Sequence, residues 1–314
     1  MKRTLLALII GAAIISASAL AWQNSPPEKR DEQTISVNVD LVNVLFTVAD
    51  KKGKFIPGLK REYFKVYEDG KPQSITNFSA DTNLPLTIAL LVDTSGSVRD
   101  RLRFEQEAAI EFFYSTLVRG KDRALVITFD SGIDLIQDYT DDPEKLSESI
   151  RTMRAGGGTS LYDAVYLAAS QKLAGQSGRR IMVIISDGDD NSSRFSMTEV
   201  LESAQRNDVV IYTISTNSTA LGGDRNNRGD RVLKTFADET GGKMFSPFKV
   251  QDLNSNFRNI SEELRLQYAL AYRPANLLRD GTFRRIRIEP GDKRHVVRAR
   301  NGYYAPRSTG TADR

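Results

Sequence analysis

The chain has 314 residues, of which 40% are apolar and 27% are charged, and its formal net charge is +4. These values predict a folded protein of roughly two domains and exclude a disordered or strongly polyionic chain. The sequence contains no cysteine, which excludes disulfides, thiolate metal sites and a lipid-modified N-terminal cysteine.

The first 21 residues have the pattern of a secretory signal peptide. Lys2 and Arg3 form a basic start, residues 5–15 are apolar, and small residues suited to cleavage follow. We therefore expect residues 1–21 to be removed and the protein to be exported, either to the periplasm and cell envelope or as a secreted protein. The alternative is an uncleaved N-terminal helix that anchors the chain to a membrane.

Residues 22–33 are polar and predict a linker, whereas residues 34–80 alternate between apolar and polar positions in the manner of strands. Asp69-Gly70 marks a tight turn between two of these short strands. The segment 34–80 is therefore predicted to be an antiparallel β unit. It is too small to be stable alone, so we expect it to pair with another part of the chain.

Residues 84–267 alternate strands with helices, which predicts an α/β domain with a doubly wound, mostly parallel sheet. The predicted strands are 86–92, 124–129, 132–137, 181–185, 209–214 and 243–246. The predicted helices are 101–117, 142–154, 160–173, 198–205, 231–239 and 250–266. The segment 132–137 is expected to be an antiparallel strand at one edge of the sheet.

Residues 268–306 return to strand-like alternation, including one continuous run from 296 to 303. We expect this segment to form one small β-sandwich with residues 34–80, so that the α/β domain is inserted between the two. The arginines from 284 onward alternate with isoleucines, which predicts that they form the exposed face of a strand. The alternative is that they bind an anionic envelope surface or nucleic acid, and export argues against nucleic acid. Residues 307–314 are expected to be a disordered tail.

Three oxygen-bearing side chains follow directly after the first α/β strand, which is an almost unbroken apolar run. They are Asp93, Ser95 and Ser97, and Gly96 between the serines allows a tight turn. Open α/β sheets place their ligands at the carboxyl ends of such strands. Alternating small oxygen ligands in a curled loop suit Mg²⁺ or a similar hard cation. An aspartate that caps the next helix, followed by turn serines, is the structural alternative.

Two further stretches agree with a cation site. Residues 156–158 are three glycines, followed by Thr159 at a predicted helix start. Asp187 follows another buried strand, within Ser186-Asp187-Gly188. Each stretch alone is compatible with ordinary loop structure, but the three together point to one site at one edge of the sheet.

Together these residues resemble the metal-ion-dependent adhesion site of von Willebrand factor type A domains, and the resemblance extends over the α/β region. It implies Asp93, Ser95 and Ser97 as first ligands of Mg²⁺ (or Mn²⁺ or Ca²⁺). It further implies that Thr159 joins them in the binding-competent state and that Asp187 holds the metal directly or through water. The flanking β segments resemble, more loosely, those of bacterial proteins with a von Willebrand-related domain.

The function expected from these residues is that of an exported, non-enzymatic binding protein. Most of the expected ligands are neutral hydroxyls, so a bound cation keeps charge with which to attract an Asp or Glu carboxylate of a partner protein. A structural component of the cell envelope, in which the metal only holds loops together, is the alternative. No nucleic-acid partner is expected, and a membrane contact only if the N-terminal segment stays uncleaved.

Enzymatic interpretations of the same motifs are weaker. A phosphatase of the haloacid dehalogenase type needs a second aspartate two positions after the first, where this chain has Ser95. A serine hydrolase needs a nucleophile elbow, which is absent from the sequence, and the single histidine, His295, is expected at the surface. The tripeptide Arg228-Gly229-Asp230 is interpreted as part of a helix cap, and Asp163 as scaffolding near the cation site.

Overall fold

The computed structural model describes residues 41–80, 84–217, 227–246 and 250–307. The predicted signal peptide and linker, the first residues of the N-terminal β segment and nearly all of the predicted tail lie outside these ranges. None of the helices within these four ranges combines the length and the apolar character that a membrane span requires.

The strands form one central sheet and two flanking sheets. The strands that precede the central sheet are β1 (Val42–Ala49), β2 (Phe64–Glu68), β3 (Lys71–Gln73) and β4 (Ile75–Ser79). The central strands are β5 (Leu86–Asp93), β6 (Arg123–Phe129), β7 (Ile133–Thr140), β8 (Arg179–Ser186), β9 (Val209–Ser215) and β10 (Met244–Phe245). The strands that follow are β11 (Tyr268–Tyr272), β12 (Phe283–Pro290), β13 (Val296–Ala299) and β14 (Gly302–Tyr304).

The α-helices of the described residues lie between strands of the α/β region or at its end. They are α1 (Leu102–Thr116), α2 (Pro143–Arg151), α3 (Leu161–Leu167), α4 (Met197–Arg206), α5 (Asn227–Thr240) and α6 (Val250–Arg265). Two of their starts are explained by capping: the Asp142 side chain accepts from the amide of Glu144, and Ser196 with Glu199 forms a capping box.

The central sheet has the strand order β10-β9-β8-β5-β6-β7. The pairs among β10, β9, β8, β5 and β6 are parallel, and β7 is antiparallel to β6 at the edge. All eight residues of β5 are buried, because helices cover both faces of the sheet. Its side chains alternate between the two cores: Ile88 and Leu90 belong to one, Ala89 and Leu91 to the other. The predicted α/β class and the antiparallel edge strand are confirmed.

The two flanking sheets each combine strands from both ends of the described chain. One has the order β13-β1-β11-β4 and the other β14-β12-β2-β3. Their facing sides share one hydrophobic core, in which Phe46 of β1 packs against Phe64 of β2 and Tyr268 of β11, with ring centroids 5.0 and 5.3 Å apart. The strand pairing therefore joins the two predicted β segments into a sandwich.

Two expectations for the C-terminal segment are wrong in detail. The predicted run 296–303 is divided into β13 and β14, which belong to different sheets. The chain leaves the first sheet at Arg300 and Asn301, where the Asn301 amide donates to the Glu239 carbonyl of the α/β region over 3.3 Å. This contact is made by the backbone with a residue far away in the sequence. The alternation of side chains in residues 296–303 therefore could not reveal the break.

The second correction concerns Arg284, which was expected on an exposed strand face but is only 2% exposed. Its guanidinium lies 3.7 Å from the buried Glu68 carboxylate and donates to the Asn276 and Leu278 carbonyls. The carboxylate of Glu68 also accepts from the hydroxyls of Tyr272 and Tyr303. The buried arginine is stable here because Glu68 supplies the opposite charge and the two carbonyls accept its hydrogen bonds. The two tyrosine hydroxyls in turn stabilise the buried Glu68 carboxylate.

His295 is partly buried rather than fully exposed. Its Nδ1 lies 2.6 Å from the Tyr63 hydroxyl, which places it in the sandwich and far along the chain from the cation-site motifs. Arg285 and Arg287 are exposed, as the alternation predicts.

Candidate metal centre

The three motifs meet because of the order of the parallel strands. β5 and β8 are neighbours in the sheet, so their carboxyl ends bring Asp93 and Ser186-Asp187 side by side. The Ser186 hydroxyl donates to Asp93 Oδ2 over 2.7 Å. Ser186 belongs to one of the sequence motifs, but no role was expected for its side chain. Its position directly before Asp187 was the one sequence feature that indicated a place at the site.

The loop after β5 turns its hydroxyls toward Asp187. Asp93 Oδ1 accepts from the Ser95 amide over 2.9 Å, which curls the chain into a short 3-10 turn at Gly96–Val98. The hydroxyl oxygens of Ser95 and Ser97 lie 3.0 Å apart, and the Ser97 hydroxyl donates to Asp187 Oδ2 over 2.9 Å. Four of the five predicted ligands are thus linked through hydrogen bonds.

These spacings are compatible with an octahedral cation. Mg²⁺ binds oxygen at about 2.1 Å in near-octahedral geometry, so neighbouring ligand oxygens lie about 3 Å apart. The Ser95–Ser97 and Ser97–Asp187 oxygen distances of 3.0 and 2.9 Å match this value. The hydrogen bonds therefore hold the oxygens at the spacing that such an ion requires.

Thr159 is brought to the same edge by the glycine loop. The Gly156 amide donates to the Thr94 carbonyl over 2.8 Å, and the Gly96 amide donates to the Gly157 carbonyl over 3.2 Å. Thr159 follows two residues later and is 4% exposed. Within the described part of the chain its hydroxyl forms no hydrogen bond with the other four predicted ligands, so its place among them remains a prediction.

The loop that carries Asp187 also holds Thr159. Asn191 Oδ1 accepts from the Thr159 amide over 2.9 Å, and the Thr159 carbonyl accepts from the amides of Asn191 and Ser192 over 3.1 Å each. Further along, Asp163 Oδ1 accepts from the Arg194 amide over 2.8 Å, consistent with the interpretation of Asp163 as scaffolding. The role of Asn191 was not anticipated, because an asparagine in a polar loop carries no specific sequence pattern.

The charges at the site are unbalanced. Asp93 is completely buried and Asp187 is 8% exposed, and across the described residues no lysine or arginine forms an ion pair with either carboxylate. Burial raises the pKa of Asp93 to about 6, and the nearby Asp187 carboxylate adds to the increase. A pair of buried carboxylates without a counter-charge is costly, and a cation between them would remove that cost.

A second pair of charged residues lies behind the hydroxyl loop, on α1 and just before it. The Arg101 guanidinium donates to the Thr216 carbonyl over 2.5 Å and to the Ser97 carbonyl over 3.2 Å. Glu105 is 1% exposed, and neither of its carboxyl oxygens has a hydrogen-bond partner among the described residues. Burial raises the pKa of Glu105 to about 8, with Asp93 and Asp187 contributing in the same direction. In the sequence, nothing distinguishes Glu105 from the other glutamates of α1.

Asp230 of the Arg228-Gly229-Asp230 tripeptide is used inside the protein. Its carboxylate accepts from the Ser215 hydroxyl over 2.6 Å and from the Asn217 side-chain amide over 3.0 Å. The Asn217 amide also donates to the Asp187 carbonyl over 2.5 Å. These contacts support the structural interpretation of the tripeptide.

No cluster of three or more histidine, cysteine, aspartate or glutamate residues suited to a metal ion occurs in the described ranges. A cation at this edge would therefore depend on hydroxyl oxygens as well as on the two carboxylates. This donor set is hard and oxygen-only, which fits Mg²⁺, Mn²⁺ or Ca²⁺ better than a soft transition metal.

The family model for the von Willebrand factor type A domain matches residues 87–263, more than half of the chain. No curated protein matches the chain significantly.

Among solved structures, a von Willebrand factor type A protein from Catenulispora acidiphila is 12% identical, with 85% of this chain and 72% of that chain covered at a TM-score of 0.50. Proximal thread matrix protein 1 from the mussel byssus, with a zinc-occupied MIDAS motif, is 14% identical; the match covers 63% of this chain and 49% of that chain at a TM-score of 0.50. The vWF domain of the type V pili tip protein Mfa5 from Porphyromonas gingivalis is 12% identical, covering 58% of this chain and 96% of that chain at a TM-score of 0.48. At these identities the similarity shows the fold alone.

Proposed function

We propose, because this chain belongs to the von Willebrand factor type A domain family, that it is a non-enzymatic binding protein that holds a divalent cation at the carboxyl edge of its central sheet. Members of this family are typically adhesion or protein-interaction modules, and some carry a metal site. The proposed ligands are Asp93, Ser95, Ser97, Thr159 and Asp187. The proposed ion is Mg²⁺, with Mn²⁺ or Ca²⁺ as alternatives.

The observation that carries this proposal is the uncompensated pair of carboxylates. Asp93 and Asp187 lie at the ends of adjacent strands, are 0% and 8% exposed, and have no basic partner within the described residues. The hydroxyls of Ser95 and Ser97 lie between them. A hard cation would supply the missing charge and satisfy these oxygens at the same time.

The chemistry of the proposed partner follows from the ligand set. Five oxygen ligands would leave one position of an octahedral divalent cation open, and a hard cation prefers a further oxygen ligand there. A carboxylate from an Asp or Glu of another protein is the simplest group to complete it, and one such contact in a dry interface can act as a hot spot. A bound cation would supply this attraction, and the residues of the three loops would hold it.

The buried position of Asp93 argues against the phosphatase alternative. Both carboxylate oxygens already accept hydrogen bonds, one from the Ser95 amide and one from the Ser186 hydroxyl. A nucleophilic aspartate must present an oxygen to a bulky phosphate ester, whereas a small cation needs only one free lone pair of a buried carboxylate. We also propose that the protein is exported by its first 21 residues, which lie outside the described part of the chain.

The metal site is tested by thermal unfolding with and without Mg²⁺. The wild-type protein should gain stability as Mg²⁺ is added, by about 2.7 kcal/mol at a free concentration one hundred times the Kd. Asp93→Ala should abolish the Mg²⁺-dependent shift in Tm, because it removes a ligand and half of the negative charge. Asp100→Ala is the matched control: it removes an exposed carboxylate beside the same loop and should keep the shift. An equal shift in wild type and Asp93→Ala would contradict the proposal.

The acidic partner is tested separately, with a peptide array probed by labelled protein. Each Asp- or Glu-containing peptide is paired with its Asn or Gln counterpart, and binding is compared in Mg²⁺ and in chelator. Binding should be confined to acidic peptides and lost in chelator. A protein that is stabilised by Mg²⁺ but shows no acid-dependent binding would have a structural metal, as in the envelope-component alternative.

A further inference from the structure

A cleft of about 530 Å³ lies between the sandwich and the α/β region. One wall is the outer side of the sheet that contains β1, β4 and β11, and the other is formed by the starts of β8 and β9. The candidate metal centre is at the opposite ends of those two strands. Since β8 is eight residues long, the two sites are separated by roughly 20 Å.

The walls of the cleft are mainly apolar. Leu45, Ala269 and Ala271 contribute from the sandwich, and Val209 and Val210 from β9. A concave, largely apolar cleft of this size, with a few polar groups, has the character of a small-molecule site.

The charged residues of the cleft are predominantly basic. The lining includes three arginines and one aspartate: Arg179, Arg180, Arg300 and Asp208. Arg300 joins the two walls, because its guanidinium pairs with Asp208 and donates to the Asn43 carbonyl over 2.7 Å. Arg180 donates to the Asn207 carbonyl over 2.6 Å and forms no ion pair with any described residue. Apolar walls strengthen the electrostatic potential of such uncompensated charges.

Two of the arginines have hydrogen-bonding capacity that the described residues do not use. The Nε–H groups of Arg180 and Arg300 are buried and have no acceptor among the described residues. Arg179 is 1% exposed and donates to the Leu264 carbonyl over 2.5 Å. Burial lowers its pKa to about 10, so it stays charged at neutral pH and contributes charge to the cleft. Guanidinium groups favour oxyanions with two or more acceptor oxygens.

We propose that this cleft binds an amphiphilic anion, a molecule with an apolar body and one carboxylate, sulfonate or phosphate group. The apolar body would lie between the sheet and the start of β9, and the anionic group beside Arg180 and Arg300. Such a ligand contacts both walls and would stabilise the packing of the sandwich against the α/β region. The inference is independent of the metal proposal, because the two sites share no residue.

The probe is n-decanoate, titrated below its micelle concentration into the full chain and followed by calorimetry and thermal unfolding. We expect saturable binding of one decanoate per chain and an increase in Tm. Decyltrimethylammonium, which has the same apolar chain and the opposite charge, should not bind. Equal binding of both ions, or binding of neither, would overturn the proposal.

Two variants locate the binding in the cleft. Arg180→Gln should weaken decanoate binding roughly tenfold by removing one charge-assisted contact. Ala269→Phe should abolish it by filling the apolar part. Decanoate binding should be the same in Mg²⁺ and in chelator, which separates this test from that of the metal site. Unchanged affinity in Arg180→Gln would overturn the assignment, even if Ala269→Phe failed to fold.

Discussion

Glu105 is a carboxyl group in an environment that disfavours its charge. It is 1% exposed, and its two oxygens have no hydrogen-bond partner among the described residues. Arg101, one turn earlier on the same side of the site, counteracts the effect of burial on its pKa, while Asp93 and Asp187 reinforce it. The group is therefore protonated in the folded protein at neutral pH when no cation is bound.

This protonation makes the stability of the metal-free protein depend on pH. The folded pKa of Glu105 is about 8, above the ordinary value of 4.5. Below pH 4.5 the folded and unfolded states both hold the proton, so nothing is lost. As the pH rises toward 8, only the unfolded state releases it, and the fold loses stability progressively.

We predict that Glu105→Gln stabilises the protein in chelator, with a gain that grows from pH 4.5 to pH 8 and reaches a few kcal/mol. The amide keeps the shape of the side chain but has no proton to lose. Chemical denaturation at several pH values measures the gain. Glu107→Gln, at an exposed position on the same helix, is the control and should show no such trend. A gain that is independent of pH would contradict the prediction.

At the scale of elements, the turn after β8 determines where Asp187 lies. Gly188 has a φ of +79°, and a Cβ atom there would lie 2.3 Å from the Gly229 carbonyl oxygen. That oxygen belongs to the backbone of α5, so it cannot move aside without shifting the helix. Only glycine allows the loop and the helix to approach this closely.

Gly188→Ala is therefore expected to destabilise the protein by several kcal/mol and to weaken Mg²⁺ binding, since Asp187 is the preceding residue. Gly120→Ala is the matched control, because Gly120 also has a positive φ, +74°, but nothing within 4 Å of the added atom. It should cost only about 1 kcal/mol from the backbone conformation. Thermal unfolding and Mg²⁺ titration of both variants make the comparison. Similar losses in both would show that the close approach to Gly229 is unimportant.

For the whole molecule, the interleaving of the terminal β segments has the largest consequence. β11 lies between β1 and β4, and β12 lies between β2 and β14. The sandwich also contacts the α/β region through Arg298 of β13, whose guanidinium lies 2.5 Å from Glu263 of α6. Glu263 in turn accepts from the buried Tyr212 hydroxyl over 2.9 Å. The ends of the described chain therefore stabilise each other and the domain between them.

We predict that a chain ending at residue 267 loses the N-terminal β segment as folded structure. Its strands β1, β2 and β4 would lose their partners β11 and β12 and expose apolar edges. The expected result is aggregation or a much lower Tm, measured by size-exclusion chromatography and thermal unfolding. A chain ending at residue 307 is the control and should behave like the full protein, since every strand is kept. A monomeric shorter chain with unchanged Tm would contradict the prediction.

Much of the secondary structure was predictable because its signals are local. The apolar run of β5, the Asp142 cap of α2 and the Asp69-Gly70 turn each depend on a few neighbouring residues. The φ values of +47° and +79° at that turn show why these two residue types occur there. Residues held by long-range contacts were harder: buried Arg284 looks like one more arginine of an exposed strand face until its partner Glu68, 216 positions earlier, is known.

The sequence by itself determined the class of fold, the order of the central elements and the residue types of the candidate metal centre, because apolar periodicity and short polar motifs are written in adjacent residues. Only the tertiary structure decided how the two β segments interleave, that Asp93 and Asp187 have no basic partner among the described residues, and that Asn191 holds the Thr159 loop. These features depend on which strands become neighbours, and strand order is set by the packing of the whole core rather than by any single segment.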